Sequence, residues 1–484
     1  MTKILNIMRQ NRLLLVKPPD RFLENEFVYQ QLGPHYIQSY LMENGFDVDI
    51  LILYESPEGR AARIAKEALG SSLNDLKMML VKADGTCTES YFDVSVVGEY
   101  SVVGMSVMTP QAADAYMLNE LVRKQLPHVL TVIGGSHARY YLDKVANLPT
   151  DLAFDFIVPQ DGWQPMLEIM NGEVKRESRP IVLEHSMRDL KGLPAPTRPL
   201  SLMRKYDFTI AGAPTFHTVT ALGCPFTCNF CESGIEAVRR FSEEMIEDDL
   251  STMRNTHKSI GNTRSAIMFF DDVGLLSPRQ VERLSAAVSK NGFDTWRAFT
   301  HAYLIVKHEK RLLRPFVETG GRRVGIGIET GSQKTLDLIN KRNGKRQDVR
   351  DHYEAIKIAN DNGIAVDAFT MIYPWEDQDD LDATTKLIEF VSENKVNECD
   401  LDGRPLKNHV DSAIMSPYQG TKFYDLMKGK RIPYVELADK FDPGRMYYKG
   451  VDGGSGWPYK RSRLPREEYE AVQRYRNSLR PSYR

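Results

Sequence analysis

Short β-branched runs alternating with helix-period stretches recur twice along this 484-residue chain, and this alternation constrains its fold most. A strand that returns through a helix lies parallel to its predecessor, so repeated strand–helix units build a parallel sheet covered by helices. The first series opens with Arg12–Val16 and Phe46–Leu53; between them Leu32, Tyr36, Ile37, Tyr40 and Leu41 follow a helix period. Val96–Val107, Val129–Ile133 and Phe154–Val158 predict three more strands, and Ala112–Gln125 predicts a helix. Residues 166–212 carry scattered prolines, among them Pro194, Pro196 and Pro199, and their weak periodicity predicts a linker. From Phe216 the alternation resumes, with strands expected at 216–223, 265–272, 295–302, 323–330, 365–373 and 410–417. Six units predict an incomplete barrel, because a closed one takes eight.

Composition narrows the class further. With 42% apolar and 26% charged residues, the chain can bury sizeable cores and is neither collagen-like nor broadly disordered. Its 63 Lys and Arg against 65 Asp and Glu lack the basic excess that duplex binding favours. No apolar run approaches the roughly 20 residues that cross a bilayer. The first basic-apolar segment, Arg12–Pro19, is too short for a signal peptide, so a cytoplasmic protein with no membrane partner is expected. Five cysteines are too few and too clustered for a disulfide framework.

Three of those cysteines, Cys224, Cys228 and Cys231, lie within Gly223-Cys-Pro-Phe-Thr-Cys-Asn-Phe-Cys231, just after an expected strand. Three thiolates can hold three irons of a cubane cluster and leave the fourth iron open. A structural zinc site needs a fourth ligand, which His217 is the nearest candidate to supply. The loop resembles the signature of the radical S-adenosylmethionine (SAM) superfamily, Cys-x3-Cys-x2-Cys, with an aromatic residue, here Phe230, before the last cysteine. The resemblance, spanning about 213–430, implies a partial (β/α)6 TIM barrel with a 4Fe–4S cluster on Cys224, Cys228 and Cys231. It also implies SAM bound to the open iron and cleaved by one electron to methionine and a 5′-deoxyadenosyl radical.

Later segments fit the same family barrel in order. Met268-Phe-Phe-Asp-Asp272 ends the second expected strand, where the family contacts the SAM amino group and where Asp271 and Asp272 match paired acids. Gly325-Ile-Gly-Ile-Glu-Thr-Gly-Ser332 ends the fourth, and Glu329 and Thr330 match positions contacting the ribose or the methionine moiety. Ile372-Tyr-Pro-Trp-Glu-Asp377 stands where the subgroup shows Gly-x-Pro-Gly-Glu; Ile372 and Tyr373 would lie near the adenine, with Tyr373 and Trp375 replacing two glycines. Ser416-Pro-Tyr-Gln-Gly-Thr421 resembles a Pro-Tyr-Pro-Gly-Thr segment, with Gln419 replacing a proline.

The amino-terminal strand ends carry small residues: Lys17-Pro-Pro19, Gln31-Leu-Gly33, Gly104–Pro110, Gly134-Gly-Ser-His-Ala138 and Asp161-Gly162. Small residues there let a flat cofactor approach the backbone. The set resembles the Rossmann-like, doubly wound cobalamin-binding domain fused ahead of many radical SAM enzymes, over about 10–170. Ser106, Thr109, Gly134, Gly135, His137 and Gly162 match its cofactor-facing loops. The resemblance implies cobalamin between these strand ends and the mouth of the barrel. The chain has no Asp-x-His-x-x-Gly motif, so the lower cobalt face should lack a histidine ligand, and Gln160-Asp-Gly-Trp163 replaces the customary Gly-Glu-Gly-Glu.

The expected chain is therefore α/β: a cobalamin-binding domain over 1–165, a linker over 166–212, a radical SAM barrel over 213–430 and a short C-terminal extension over 431–484 packing on the barrel. From Arg445 onward, ten Lys or Arg and six Tyr alternate with a Gly-Gly-Ser-Gly run at 453–456. Such a tail can stack on nucleic acid, but a packed segment is the expected reading. Cys87 and Cys399 read as free thiols, with Cys399 a hydrogen-atom donor only if it enters the barrel.

The function this implies is methyl transfer from methylcobalamin to an unactivated carbon of a small molecule, with electrons from an external donor such as flavodoxin or ferredoxin. A cobalamin-dependent rearrangement or cyclisation is the alternative. A tRNA-modifying methylthiotransferase would carry a second amino-terminal cysteine set, and Cys87 is the only cysteine before the motif. A non-catalytic cobalamin carrier would leave the cysteine loop unexplained.

Overall fold

The computed structural model describes residues 12–479 apart from 22, 24, 66–72, 146–152, 234–236, 342–346 and 439–456. The glycine-serine run at 453–456 lies outside the described residues. Two compact units divide the chain after Tyr206.

The first unit is an eight-stranded sheet in the order β4-β3-β2-β1-β5-β6-β7-β8. Its strands are β1 Arg12–Lys17, β2 Asp47–Glu55, β3 Leu76–Val81, β4 Cys87–Tyr91, β5 Val102–Ser106, β6 Leu130–Gly134, β7 Phe156–Ile157 and β8 Ile181–Val182. β1 sits centrally, paired in parallel with both β2 and β5, and its side chains divide between two cores. Leu14 and Val16 pack on the face carrying the helix Ala112–Gln125, and Leu13 and Leu15 on the face carrying Met166 and Ile169 of the helix Trp163–Met170. A strand with apolar residues on both faces belongs in the middle of a doubly covered sheet; each such side chain contributes roughly 1.5–3 kcal/mol by burial.

Two expectations change here. Val96–Val107 is not one strand: residues 94–99 wind into a 3-10 helix whose start Asp93 caps by accepting from the Ser95 N–H. The sheet is also not purely parallel, because β3 pairs antiparallel with both β2 and β4. Asp84-Gly85 makes that hairpin, with Gly85 at φ +83° and the Asp84 carboxylate accepting from the Thr86 N–H at 2.9 Å. Within 166–212, Ile181–Val182 joins the sheet edge as β8 and Leu200–Met203 is a short helix.

The second unit holds β9 Thr209–Ile210, β10 Ala213–Thr218, β13 Ala266–Phe269, β14 Thr295–Thr300, β15 Gly321–Glu329, β16 Ala365–Ile372 and β17 His409–Ile414. A two-strand ribbon, β11 Ala221–Leu222 with β12 Arg239–Arg240, follows β10. The large sheet runs β17-β16-β15-β14-β13-β10-β9, and its six strands from β10 to β17 are mutually parallel. The first strand starts earlier than expected and ends at Thr218, because the buried Asp271 carboxylate draws the Thr220 and Ala221 N–H groups (2.6 and 3.3 Å) out of line.

Alternation along the strands decides what faces the barrel interior. On β14, Trp296 turns outward onto Phe316, with ring centroids 4.5 Å apart, while Arg297 turns the other way and joins Asp367 of β16 at 2.7 Å. Arg323 of β15 binds the same carboxylate at 2.5 Å. Burial raises the Asp367 carboxyl, but the two guanidinium groups prevail and hold it below its usual range.

The C-terminal helix Arg466–Ser478 packs on this unit through Tyr469, whose hydroxyl donates to the Pro374 and Glu376 carbonyls (3.1 and 2.8 Å). Tyr459 likewise donates to the Met415 carbonyl at 2.6 Å.

The loop after β15 passes close to the helix Gln378–Glu393. A Cβ on Gly331 would lie 2.7 Å from the Ala383 carbonyl carbon, which only a backbone shift can relieve. Gly331→Ala should therefore cost about 2 kcal/mol in denaturant unfolding, with the midpoint lowered and the slope unchanged.

Candidate functional site

Cys224, Cys228 and Cys231 sit in a loop without regular structure, and other segments hold it in place. Asn229 does most of this: its N–H donates to the Ile339 carbonyl (2.9 Å), its amide to the Leu338 carbonyl (2.8 Å), and its carbonyl accepts from Phe423 (2.9 Å). Asn340, in the left-handed region at φ +53°, returns two bonds of 3.0 Å to Thr227. Within the loop, the Cys231 N–H donates to the Cys228 carbonyl at 3.2 Å. The three half-buried thiols line a cavity of about 500 Å³ at the carboxyl ends of the barrel strands.

The rest of the lining comes largely from β14 to β17 and the residues that follow them, among them Phe299 and His301, Gly325 and Gly327, Phe369 and Met371, and Asp411 and Ala413. Both glycines leave room for neighbouring side chains. A Cβ on Gly325 would meet the Phe299 ring at 2.5 Å, and one on Gly327 the Lys341 ammonium at 2.5 Å.

Glu329 ends β15 at φ +59°, a conformation that costs a non-glycine residue strain. Its carboxylate is fixed at 2.6 Å from the Lys341 ammonium, which also donates to the Gly327 carbonyl. Burial works against the Lys341 ammonium, but Glu329 and Cys228 outweigh it and hold its pKa above the ordinary value. Burial pushes the thiols up, Cys224 to about 11 and Cys228 to about 12.

The residues singled out from the sequence separate into two groups. Cys224, Cys228, Cys231, Phe230, Asp272 and Glu329 all line the cavity. Asp271, Thr330, Ile372 and Tyr373 lie behind the wall instead. Asp271 accepts from Thr220 and Ala221, and Thr330 donates to Glu376 at 3.2 Å. Ile372 packs with Leu381 and Tyr469 in the apolar core, and Tyr373 stacks on Trp375 at 4.8 Å. Cys399 is exposed and absent from the lining, and Cys87 meets the Ser201 hydroxyl at 2.9 Å.

Two cavity residues escaped the sequence reading. His301, stacked 4.0 Å above Phe226, immediately follows β14, and its place at a strand's carboxyl end was a usable signal. Lys341 had none, lying twelve residues beyond Glu329 and outside every motif.

In the first unit, Ser106 ends β5 and Gly134 ends β6, both half-buried, with Gly135 and Ser136 exposed beside them. His137 is buried, its ring nitrogens meeting Tyr116 Oη at 2.5 Å and Thr109 Oγ1 at 3.2 Å, which leaves neither for a metal. Gly135 answers to the fold, because a Cβ there would lie 2.7 Å from the Val107 backbone. Gly162 caps the helix Trp163–Met170, its would-be Cβ 2.7 Å from Ile37.

Residues 218–388 match the Radical SAM superfamily. They are a radical SAM domain. The chain is thus a radical SAM enzyme, and two curated relatives extend the likeness beyond that domain. It is 24% identical over 346 residues to an uncharacterized methyltransferase of Pyrococcus horikoshii, covering 67% of this chain and 68% of that one. It is 24% identical over 287 residues to the anaerobic magnesium-protoporphyrin IX monomethyl ester cyclase of Rubrivivax gelatinosus, covering 55% and 50%.

Among solved structures, the fold matches the cobalamin-dependent SAM radical enzyme OxsB, determined with aqua-cobalamin and SAM, at TM-score 0.69 and 13% identity over 98% of this chain and 67% of that one. It also matches the radical SAM methyltransferase TsrM of Kitasatospora setae, with cobalamin and a [4Fe-4S] cluster, at TM-score 0.61 and 12% identity over 97% and 91%. Both units are covered, so the two-part α/β architecture is shared. No helix among the described residues is long and apolar enough to cross a membrane.

Burial pushes Asp271 up to about 6 against the three hydrogen bonds that favour its ionised form. A carboxyl raised in the folded state binds more protons there, so stability should fall as pH rises from about 4 through about 6 and then level off. Asp271→Asn keeps the acceptor for the Thr220 N–H and removes the titration. Unfolding free energies measured across that window should be flatter for the variant by roughly 2–3 kcal/mol.

Proposed function

We propose that this chain is a cobalamin-dependent radical SAM methyltransferase that alkylates a carbon of a small molecule. The observation that carries it is the convergence of three thiols on one cavity at the carboxyl ends of a radical SAM domain's strands. A cubane cluster fits the chemistry of this donor set: three thiols line one cavity, which leaves space for a fourth, non-protein ligand. Cobalamin fits the first unit, where Ser106, Gly134, Gly135 and Ser136 form a ledge of small residues and a Cβ on Gly134 would touch nothing nearer than 3.8 Å.

When bound, the cluster supplies one electron to SAM and cobalamin carries the methyl group. The chain's own residues hold and orient. Cys224, Cys228 and Cys231 are the cluster ligands, and Asn229 fixes their spacing. Asp272 and Glu329 present carboxylates in the cavity for an ammonium or hydroxyl of SAM. Asp271 and Thr330 act from behind, positioning the Thr220–Ala221 turn and the end of β15. Phe230, Phe299 and Phe369 keep water from the reacting carbon. A cavity of about 500 Å³ is of small-molecule size, and a flavodoxin- or ferredoxin-like donor would supply the electron.

The similarity to the protoporphyrin ester cyclase supports a second reading, a cobalamin-dependent cyclisation that adds no carbon. Product mass separates the two: methyl transfer adds one carbon derived from labelled SAM.

Anaerobic reconstitution should give about four irons per chain, and Cys228→Ala should lose the iron–sulfur absorption and 5′-deoxyadenosine formation while far-UV circular dichroism stays unchanged. Intact SAM cleavage by that variant would refute the assignment. Gly134→Val should keep the fold yet weaken hydroxocobalamin retention at least about tenfold, the cost of one steric clash, with iron content unaffected. Equal retention by both proteins would remove cobalamin from that ledge.

A further inference from the structure

The helix Lys422–Lys428, which anchors the cysteine loop, opens a basic surface. Residues 422–438 and 459–463 hold seven Lys or Arg against two acids, in a chain whose net charge is −2. All seven cations are exposed. The two segments adjoin: Glu436 and Leu437 pair antiparallel with Tyr459–Arg461, and the Arg463 guanidinium lies 4.1 Å from the Tyr434 ring centroid. Glu436 comes no nearer to Lys430 than 3.9 Å. The Tyr434 ring is 50% exposed, and Lys430 and Tyr434 stand at φ +53° and +68°. Such left-handed conformations cost a bulky residue strain and cluster where a surface has work to do.

The inner side of the same segment touches the cysteine loop. The Phe423 N–H donates at 2.9 Å to the carbonyl of Asn229, which stands between Cys228 and Cys231. Phe423, Met427, Ile432 and Val435 are buried in the apolar cluster that also takes up Phe230, the residue before Cys231. One stretch of chain thus contacts the loop with its apolar residues and presents its cations to solvent. A reductant for irons held by these cysteines must dock near the loop, and electron-carrier proteins do so through small, transient encounters guided by opposite charge.

We infer that this basic surface, with Tyr434 and Arg463 in it, is the docking site of the electron donor, and that the donor is a small acidic protein carrying one electron. The inference rests on the cluster reading made above. One electron leaves the reduced centre of the carrier and enters the cluster, so the carrier ends oxidised by one electron and the cluster reduced by one. Tyr and Arg are the residue types that most often dominate binding at interfaces, and the surrounding cations supply attraction and orientation.

Arg431→Glu combined with Arg463→Glu reverses two exposed cations and leaves the apolar side untouched. Binding of dye-labelled flavodoxin to the full-length protein, read by fluorescence anisotropy at low salt, should weaken at least about tenfold in the variant, as expected when steering charges are reversed. Reduced flavodoxin should drive 5′-deoxyadenosine formation correspondingly more slowly, while dithionite, which needs no docking surface, drives both proteins equally. Should the variant misassemble, salt decides the matter in the unaltered protein. Raising it from about 0.05 to about 0.5 M screens exposed charges, which should weaken flavodoxin binding and leave the dithionite-driven rate unchanged. Equal flavodoxin binding by both proteins, or binding indifferent to salt, would overturn the docking site and leave the cluster reading standing. Retention of a tRNA probe that the reversal abolishes while flavodoxin binding persists would also overturn it, and assign the surface to nucleic acid. Absence of both an iron–sulfur signal and dithionite-driven product in the unaltered protein would overturn the cluster reading, and the docking site with it.

Discussion

The cysteine loop depends on Asn229. A loop of nine residues with two prolyl or glycyl breaks has no means of fixing three sulfurs by its own backbone, so its geometry is imported. Asn229 imports it from two places at once: the end of the helix Gln333–Ile339 and the first turn of the helix Lys422–Lys428. Both helices follow barrel strands, so the loop inherits the rigidity of the sheet through three bonds near 2.9 Å. Asn340 strengthens the arrangement by adopting the left-handed conformation, which turns its amide back onto Thr227.

That attachment also decides what the cavity can be. The segment that ends at Asn340 continues into Lys341, so anchoring the loop and placing an ammonium beside Glu329 are one structural event. Nearer the strand starts lie Arg297, Arg323 and Asp367, two cations sharing one carboxylate on three neighbouring strands. Arg297 lies 4.9 Å beneath the Phe299 ring, so the charged layer is roofed by an aromatic one before the cavity begins. Gly325 and Gly327 leave room on β15 for that ring and for Lys341. A charged layer thus lies beneath the cavity, and the thiols and carboxylates stand at the end where the strands finish.

Much of this was legible in the sequence, for identifiable reasons. All six barrel strands announced themselves by their apolar runs, and the cysteine spacing placed the loop, because both signals are local. The β3–β4 hairpin was missed although Asp84-Gly85 marks it, since β4 exposes its side chains and lacks an apolar run. Asp271 and Thr330 were chosen by motif, yet a motif does not say which side of a wall a residue occupies. Only the hydrogen bonds to Thr220 and Glu376 do. Lys341 was illegible because its partner Glu329 is brought to it by a turn that no short-range pattern encodes.

The turn after β16 shows how an altered motif is accommodated. Where small glycines were expected, Tyr373 and Trp375 fill the space, and their bulk needs cover. The C-terminal helix provides it: Tyr469 donates to the carbonyls of Pro374 and Glu376, and the fully buried Arg476 donates to the Leu381 carbonyl at 2.7 Å. Burial pushes the Glu376 carboxyl up to about 7, and the Arg476 charge opposes that rise. Helix and turn therefore stand or fall together. Of the three described tyrosines in this basic tail, Tyr459 and Tyr469 are consumed in packing and Tyr475 alone is exposed. Among the described residues, then, the tail's aromatic rings serve mainly the turn they cover.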